Sequence, residues 1–212
     1  MGVVLKFDHP MERNMKNIII CCLVSVNLFC AVYAQESTPA GDCQELSSFL
    51  TPVFDFPKPG INFISYANLL ERPDAFHRVI QKFADRYRDI DLDGIVGLDA
   101  RGFVFGAALA YELKVPFVMI RKAGKLPRET RKINYALEYG TASFEIEVDS
   151  IKKGDQLVVI DDVLATGGTA DAAAQLVESL GGEVVEAAFL IEIPFLKGRE
   201  RLGRAVYSLI TY

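Results

Sequence analysis

Leu157-Val158-Val159-Ile160-Asp161-Asp162-Val163-Leu164-Ala165-Thr166-Gly167-Gly168-Thr169 is an apolar strand, then two acids, then a small-residue loop that opens a helix. The aliphatic run suits a strand buried on both faces of a parallel sheet. The loop behind it can aim several backbone N–H groups, the hydroxyls of Thr166 and Thr169 and the positive end of a helix dipole at one phosphate. Gly167 and Gly168 permit the close backbone approach that a side chain would block. Asp161 and Asp162 stand at the strand's carboxyl end, where open α/β sheets bind ligands. Paired carboxylates there can accept hydrogen bonds from sugar hydroxyls and attract a hard divalent cation. No Gly-Lys-Ser/Thr closes the loop and no GxGxxG follows the strand, which sets aside the P-loop and dinucleotide-binding motifs. The plain alternative is a strand–turn–helix with acidic surface residues.

Strands and helices alternate around this unit. Pro73 to Arg88 is a helix, with Pro73 in its first turn and Phe76, Val79, Ile80, Phe83 and Tyr87 at helical spacing. Gly94 to Leu98 is a short apolar strand, and Asp99-Ala100-Arg101-Gly102 turns into a small-residue helix ending near Leu113. Pro116 to Ile120 is a second buried strand. Arg121 to Lys132 is basic and loop-like, with six Lys or Arg and no apolar period. Tyr135 to Tyr139 and Ser143 to Val148 alternate as half-buried strands. Gln156 to Ile160 is the central strand, and Gly168 to Leu180 is an Ala-rich helix stopped by Gly181-Gly182. Val184 to Ile193 and Ala205 to Ile210 complete the strands. Gln35 to Ser48 is polar and loop-like, and Phe54 to Asn62 is rich in Pro and Gly. The pattern predicts an α/β domain, mostly parallel sheet with helices on both faces, and a small N-terminal cap.

The chain has 212 residues and a formal charge of −5, so nothing draws it globally to nucleic acid or to an acidic membrane surface. Phosphate binding must be local. Residues 1–34 read differently from the rest. Met15-Lys16-Asn17 precedes an apolar run from Ile18 to Ala34, closed by Val32-Tyr33-Ala34 before Gln35-Glu36, the form of a signal peptide ending near Ala34. A leader translated from an over-extended start is the other reading. Residues 35–212 then form the folded domain. Cys21, Cys22 and Cys30 lie in the apolar run, which leaves Cys43 alone, without an internal disulfide or a cysteine zinc cage.

The central motif resembles the phosphoribosyl pyrophosphate signature of the type I phosphoribosyltransferases. Other stretches resemble the adenine phosphoribosyltransferase family in particular: Phe56-Pro57-Lys58-Pro59-Gly60-Ile61, Gly97-Leu98-Asp99-Ala100-Arg101-Gly102-Phe103, Ile120-Arg121-Lys122 with Gly124-Lys125-Leu126-Pro127, and Leu137-Glu138-Tyr139-Gly140. With Leu196-Lys197-Gly198-Arg199 they span roughly residues 50–212 in the family's order. The resemblance implies the type I phosphoribosyltransferase fold. It also implies transfer of the phosphoribosyl group of 5-phosphoribosyl 1-pyrophosphate to adenine, giving AMP and pyrophosphate in purine salvage.

Residue roles follow from the same resemblance. Ala165, Thr166, Gly167, Gly168 and Thr169 would bind the 5-phosphate, while Asp161 and Asp162 hold the ribose hydroxyls and, directly or through water, Mg²⁺. Asp99, Ala100 and Arg101 match the loop that contacts pyrophosphate, with Arg101 its charged and catalytic member. Arg121, Lys122 and Lys125 add positive charge suited to a leaving anion. In the family such residues can reach a neighbouring subunit's site, which implies a homodimer. Glu138 matches the acid beside adenine, able to accept a hydrogen bond or draw off a proton as N9 becomes nucleophilic. Phe63 matches the ring that stacks on the base, with backbone groups of Asn62 and Ile64 reading its edge; on its own, a Phe after a Pro/Gly turn reads as core. Arg128, Arg131 and Lys132 read as a solvated surface.

One departure stands out. The family usually continues from that Phe as Arg-Asp-Ile-Ser/Thr-Pro, whereas here Ile64-Ser65-Tyr66-Ala67-Asn68 follows. The alternatives are a phosphoribosyltransferase for a 6-oxopurine, against which Leu137-Glu138-Tyr139-Gly140 speaks, and a non-catalytic regulator that senses phosphoribosyl pyrophosphate. The second would call for a basic helix-turn-helix element, where residues 1–50 offer an apolar run. Because phosphoribosyl pyrophosphate is made and used in the cytoplasm, the expected location is cytoplasmic, with export behind the signal-like leader as the alternative. The mature chain is expected to hold neither nucleic acid nor a stable membrane association.

Overall fold

The computed structural model describes residues 45–212, apart from 57, 61, 62 and 137–140 and the side chains of 136 and 141. The leader, Cys43, Asn62 and Glu138 therefore lie outside the described residues. The described part is an α/β domain built on a seven-stranded sheet.

Its elements, in chain order, are β1 (Thr51–Val53), β2 (Phe63–Ser65), α1 (Ala67–Leu70), α2 (Pro73–Tyr87), β3 (Gly94–Leu98), α3 (Gly102–Leu113), β4 (Phe117–Lys122), β5 (Thr130–Ala136), β6 (Thr141–Glu147), β7 (Gln156–Leu164), α4 (Gly168–Ser179), β8 (Glu183–Glu192), α5 (Gly198–Leu202) and β9 (Val206–Thr211). The large sheet has the order β5-β6-β4-β3-β7-β8-β9. β4, β3, β7, β8 and β9 are parallel, and the β5–β6 hairpin joins antiparallel to the end of β4.

All five residues of β3 are buried, as expected of a strand covered on both sides. Alternate residues face different helices. Ile95, Val158, Ile160, Ala188 and Leu190 pack with Val79, Phe83, Phe105 and Leu109 of α2 and α3. Val96, Leu98, Leu157 and Val159 pack with Ala172, Ala173, Leu176 and Val177 of α4. Each large side chain so buried contributes about 1.5–3 kcal/mol of transfer free energy. The alanines of α4 let that helix lie close to the sheet and bring its first turn to the end of β7. β1 and β2 form a separate antiparallel pair that, with α1, makes the cap.

The structure differs from the sequence reading in several boundaries and one missed element. β7 does not stop at Ile160. Its pairing with β3 ends there, but β8 is long enough to pair on with Asp161, Val163 and Leu164, so both acids lie within a strand. The basic stretch is loop only over 123–129: Arg121 and Lys122 end β4, and Thr130 to Lys132 begin β5. Charged residues pass as loop in a sequence because a hairpin edge can expose them and keep its backbone paired. The reading also missed the cap hairpin, whose strands are three residues long.

Candidate active site

The carboxyl ends of β3 and β7 face a cavity of about 580 Å³. Its lining includes Asp99, Ala100 and Arg101 from the β3–α3 turn, Lys122, Asp161 and Asp162, all of Ala165 to Thr169, and Phe63 and Ile64 from β2. The structure thus brings together thirteen of the seventeen residues singled out from sequence. Arg121 and Lys125 do not line it but join its wall through Asp99; Asn62 and Glu138 lie outside the described residues.

The phosphate loop takes its shape from a tight turn. Gly167 has φ +79°, in the left-handed region that L side chains rarely adopt, and a Cβ there would lie 2.6 Å from the Gly198 carbonyl oxygen. Conversely, a Cβ on Gly198 would collide with the carbonyl oxygen of Ala165. The Leu196-Lys197-Gly198-Arg199 segment therefore backs the loop directly. Arg199 fixes that segment: Nε donates to Glu192 Oε1 at 3.0 Å and Nη1 to the Val206 carbonyl at 2.7 Å. The Arg201 guanidinium lies over Gly168 at the start of α4. With residues 165–167 leading into α4, backbone N–H groups and the helix dipole converge on one point, an anion site.

The two acids differ in surroundings. Asp162 is 1% exposed, and its Oδ2, with Arg101 Nε at 2.7 Å, lacks a hydrogen bond among the described residues. Asp161 Oδ1 accepts the Asp162 backbone N–H at 2.9 Å. Burial, and then the neighbouring Asp162 charge, push the Asp161 carboxyl well above the usual carboxylate range. Two adjacent carboxylates faced by the single Arg101 cation suit a divalent cation, whose charge would offset their mutual repulsion. Among the described residues no group of three or more His, Cys, Asp or Glu could hold a metal alone, so a Mg²⁺ here would share its oxygens with substrate or water.

One cation meets Asp162, and two meet Asp99. Arg101 places its guanidinium carbon 5.5 Å from the Phe63 ring centroid. Phe63 is half-buried and meets Phe56 edge-on at 5.5 Å, so the ring belongs to the cavity wall rather than to the core. Asp99 Oδ2 receives Arg121 Nε at 3.3 Å and Lys125 Nζ at 3.4 Å. Burial would raise the Asp99 carboxyl, but the Lys122 backbone N–H, Lys125 and Arg121 together hold it below the usual range. Arg128 pairs with Glu147, Lys132 with Glu145, and Arg131 is exposed.

At the departure from the family pattern, Ile64 and Tyr66 are both buried at 7% exposure. Tyr66 packs on Phe105 with centroids 5.6 Å apart. Its phenol is pushed far up, by burial first and then by the Asp162 charge it faces. The sequence reading gave Tyr66 no role. Nor did it find Tyr135, whose phenol reaches Thr169 and faces Asp161. An aromatic in an alternating strand carries no sign of which loop it will meet.

Residues 65–204 match the family model of the phosphoribosyl transferase domain. The chain is 50% identical over 171 residues to the adenine phosphoribosyltransferase of Mycoplasma mobile, covering 81% of this chain and 99% of that one. The crystal structure of adenine phosphoribosyltransferase from Rhodothermus marinus is similar at TM-score 0.78 and 40% identity, over 82% of this chain and all of that one. That from Saccharomyces cerevisiae, in complex with an imino-altritol bisphosphate and adenine, is similar at TM-score 0.78 and 41% identity, over 81% of this chain and 100% of that one. With the Ala165–Thr169 loop, the acid pair and the Asp99-Ala100-Arg101 turn gathered on one cavity, the chain belongs to the phosphoribosyltransferase family, among the adenine phosphoribosyltransferases.

Proposed function

We infer that this protein transfers the phosphoribosyl group of 5-phosphoribosyl 1-pyrophosphate to adenine, giving AMP and pyrophosphate. The observation that carries the reading is the convergence of an anion-binding loop, an acid pair and an aromatic wall at the carboxyl ends of β3 and β7. Ala165 to Thr169 bind the 5-phosphate through backbone N–H groups and the two threonine hydroxyls. Asp161 and Asp162 accept hydrogen bonds from the ribose hydroxyls and would hold Mg²⁺, directly or through water. When bound, the ion would supply positive charge against the departing pyrophosphate.

The C1–O bond to pyrophosphate breaks with its electron pair leaving on pyrophosphate, through an oxocarbenium-like centre. Arg101, and with it Arg121, Lys122 and Lys125, offsets the charge that develops. The N9–C1 bond forms from adenine stacked on Phe63, its edge read by backbone groups of Asn62 and Ile64, and the N9 proton passes to Glu138. Calorimetric titration with phosphoribosyl pyrophosphate and Mg²⁺ tests the placing of the acids. Asp162→Asn should weaken binding at least tenfold whichever base is later supplied, and unchanged binding would remove the acid pair from the sugar site.

The assembly proposed is a homodimer. Val104 and Tyr111, seven residues apart on α3, are 40% and 85% exposed, and Met119 of the neighbouring β4 is 42% exposed. Sedimentation velocity reads the mass, and a monomer at micromolar concentration overturns it. The location proposed is the cytoplasm, where the co-substrate is made, with residues 35–212 as the working domain. N-terminal sequencing of native protein that gave Gln35 in an extracytoplasmic fraction would contradict it. Among the described residues no helix is long and apolar enough to cross a membrane.

A further inference from the structure

Glu145 has no part in the chemistry above, yet it is 1% exposed and sits in the middle strand of the β4–β6–β5 ribbon. Its register partners are Arg121 on β4 and Lys132 on β5. Strand alternation sends its neighbours Phe144 and Ile146 to the opposite face, into the core with α4. Glu145 therefore stands on the outer face of that ribbon, a position that normally leaves a carboxylate in water. It is buried because the 123–129 loop folds back over it. Oε1 accepts the backbone N–H of Lys125 at 2.7 Å and of Leu126 at 3.0 Å, and Oε2 lies 3.3 Å from Lys132 Nζ.

Such an arrangement is a turn built around an anion. Successive backbone N–H groups make a concavity that binds negative charge, and here the protein supplies that charge itself. The consequence falls on Lys125. With its own N–H tied to Glu145, Lys125 sends its carbonyl to Arg121 Nη1 at 3.3 Å and its Nζ to within 3.4 Å of Asp99 Oδ2. Arg121 Nε completes the group at 3.3 Å from the same oxygen. One buried carboxylate thus fixes the backbone from which Lys125 reaches the turn that holds Arg101, and whose Lys125 carbonyl accepts from Arg121.

We propose that Glu145 is a positioning residue for phosphoribosyl transfer: by clamping the Lys125–Leu126 backbone it holds Lys125 and Arg121 toward the pyrophosphate end of the cavity. The proposal rests on the reading of Lys125 and Arg121 as pyrophosphate-facing cations. Burial alone would raise the Glu145 carboxyl, but the backbone N–H groups of Gly124, Leu126 and Lys125, and then Lys132, hold it at about 2, so it is an anion at any working pH. Glu145→Gln keeps the shape and removes the charge that the N–H groups converge on. A double-mutant cycle separates positioning from plain folding, because groups acting through one another are non-additive.

The measurement is steady-state kinetics and melting temperature for the parent, Glu145→Gln, Lys125→Ala and the double variant. Glu145→Gln should lower kcat/KM for phosphoribosyl pyrophosphate about tenfold, leave KM for adenine within about twofold, and add little to the loss already caused by Lys125→Ala. Should Glu145→Gln not fold, Glu145→Asp, which keeps the charge but retreats from the N–H groups, is expected to give the same non-additive loss. Losses that multiply, or a lowered melting temperature with unchanged kinetics for phosphoribosyl pyrophosphate, overturn the positioning role while leaving the basic loop's role intact. A silent Lys125→Ala would instead overturn the reading of the basic loop, and the positioning role with it.

Discussion

A carboxylate that binds and a carboxylate that moves a proton are distinguished by what each loses as an amide. Asp162 faces Arg101 and Tyr66 from a buried position, the surroundings of a group that holds a ligand in place. Glu138, assigned by resemblance to the base, would accept the N9 proton. Glu138→Gln should therefore leave phosphoribosyl pyrophosphate binding within about twofold while depressing kcat by about 10²–10⁴-fold, the usual contribution of a positioned proton acceptor. Calorimetry and single-turnover rates read the two effects separately. A loss under about tenfold would reduce Glu138 to a group that orients adenine, and loss of phosphoribosyl pyrophosphate binding would remove the division of labour. Residues with a fixed motif spacing, such as Asp161, Asp162 and Arg101, were legible in the sequence. Tyr66 and Glu145 were not, because their work depends on what folds against them: Phe105 and Asp162 in one case, the Lys125–Leu126 backbone in the other.

Two elements far apart in sequence share the making of the phosphate site. The loop after β7 has the glycines, but its outer wall is the start of α5, where Gly198 leaves no room for a side chain against Ala165. Gly198→Ala should push that carbonyl out of line. Overpacking of this kind costs about 1–3 kcal/mol, so KM for phosphoribosyl pyrophosphate should rise by roughly five- to 150-fold, with KM for adenine little changed. Steady-state kinetics with each substrate varied in turn checks this, and an unchanged KM for phosphoribosyl pyrophosphate would mean that α5 yields freely. Sequence showed Leu196-Lys197-Gly198-Arg199 as a resemblance without a task, since nothing in one segment tells which loop it will lie against. Strands and helices of the parallel core were legible because burial on both faces leaves unbroken aliphatic runs. The short cap strands and the ends of β7 and β5 were not, because pairing with a neighbouring strand, rather than local composition, sets where they stop.

On the scale of the molecule, the parallel sheet delivers the turns after β3 and β7 to one edge, and the other parts bring what those turns lack. The cap supplies Phe63 and Ile64, the β5–β6 hairpin supplies the frame for Lys125, and α5 supports the phosphate loop from outside. Nothing in that division depends on the Arg and Asp that the family usually carries after Phe63. The Ala165–Thr169 loop, the acid pair and Phe63 line the cavity without them. The base preference is therefore the property most exposed to this chain's own departure, and it is the direct test of the whole account. Product formation should be measured with phosphoribosyl pyrophosphate, Mg²⁺ and adenine, hypoxanthine or guanine in turn. The account predicts AMP from adenine with kcat/KM at least a hundredfold above either 6-oxopurine, a difference of about 2.7 kcal/mol. Equal or faster turnover of hypoxanthine or guanine would contradict it.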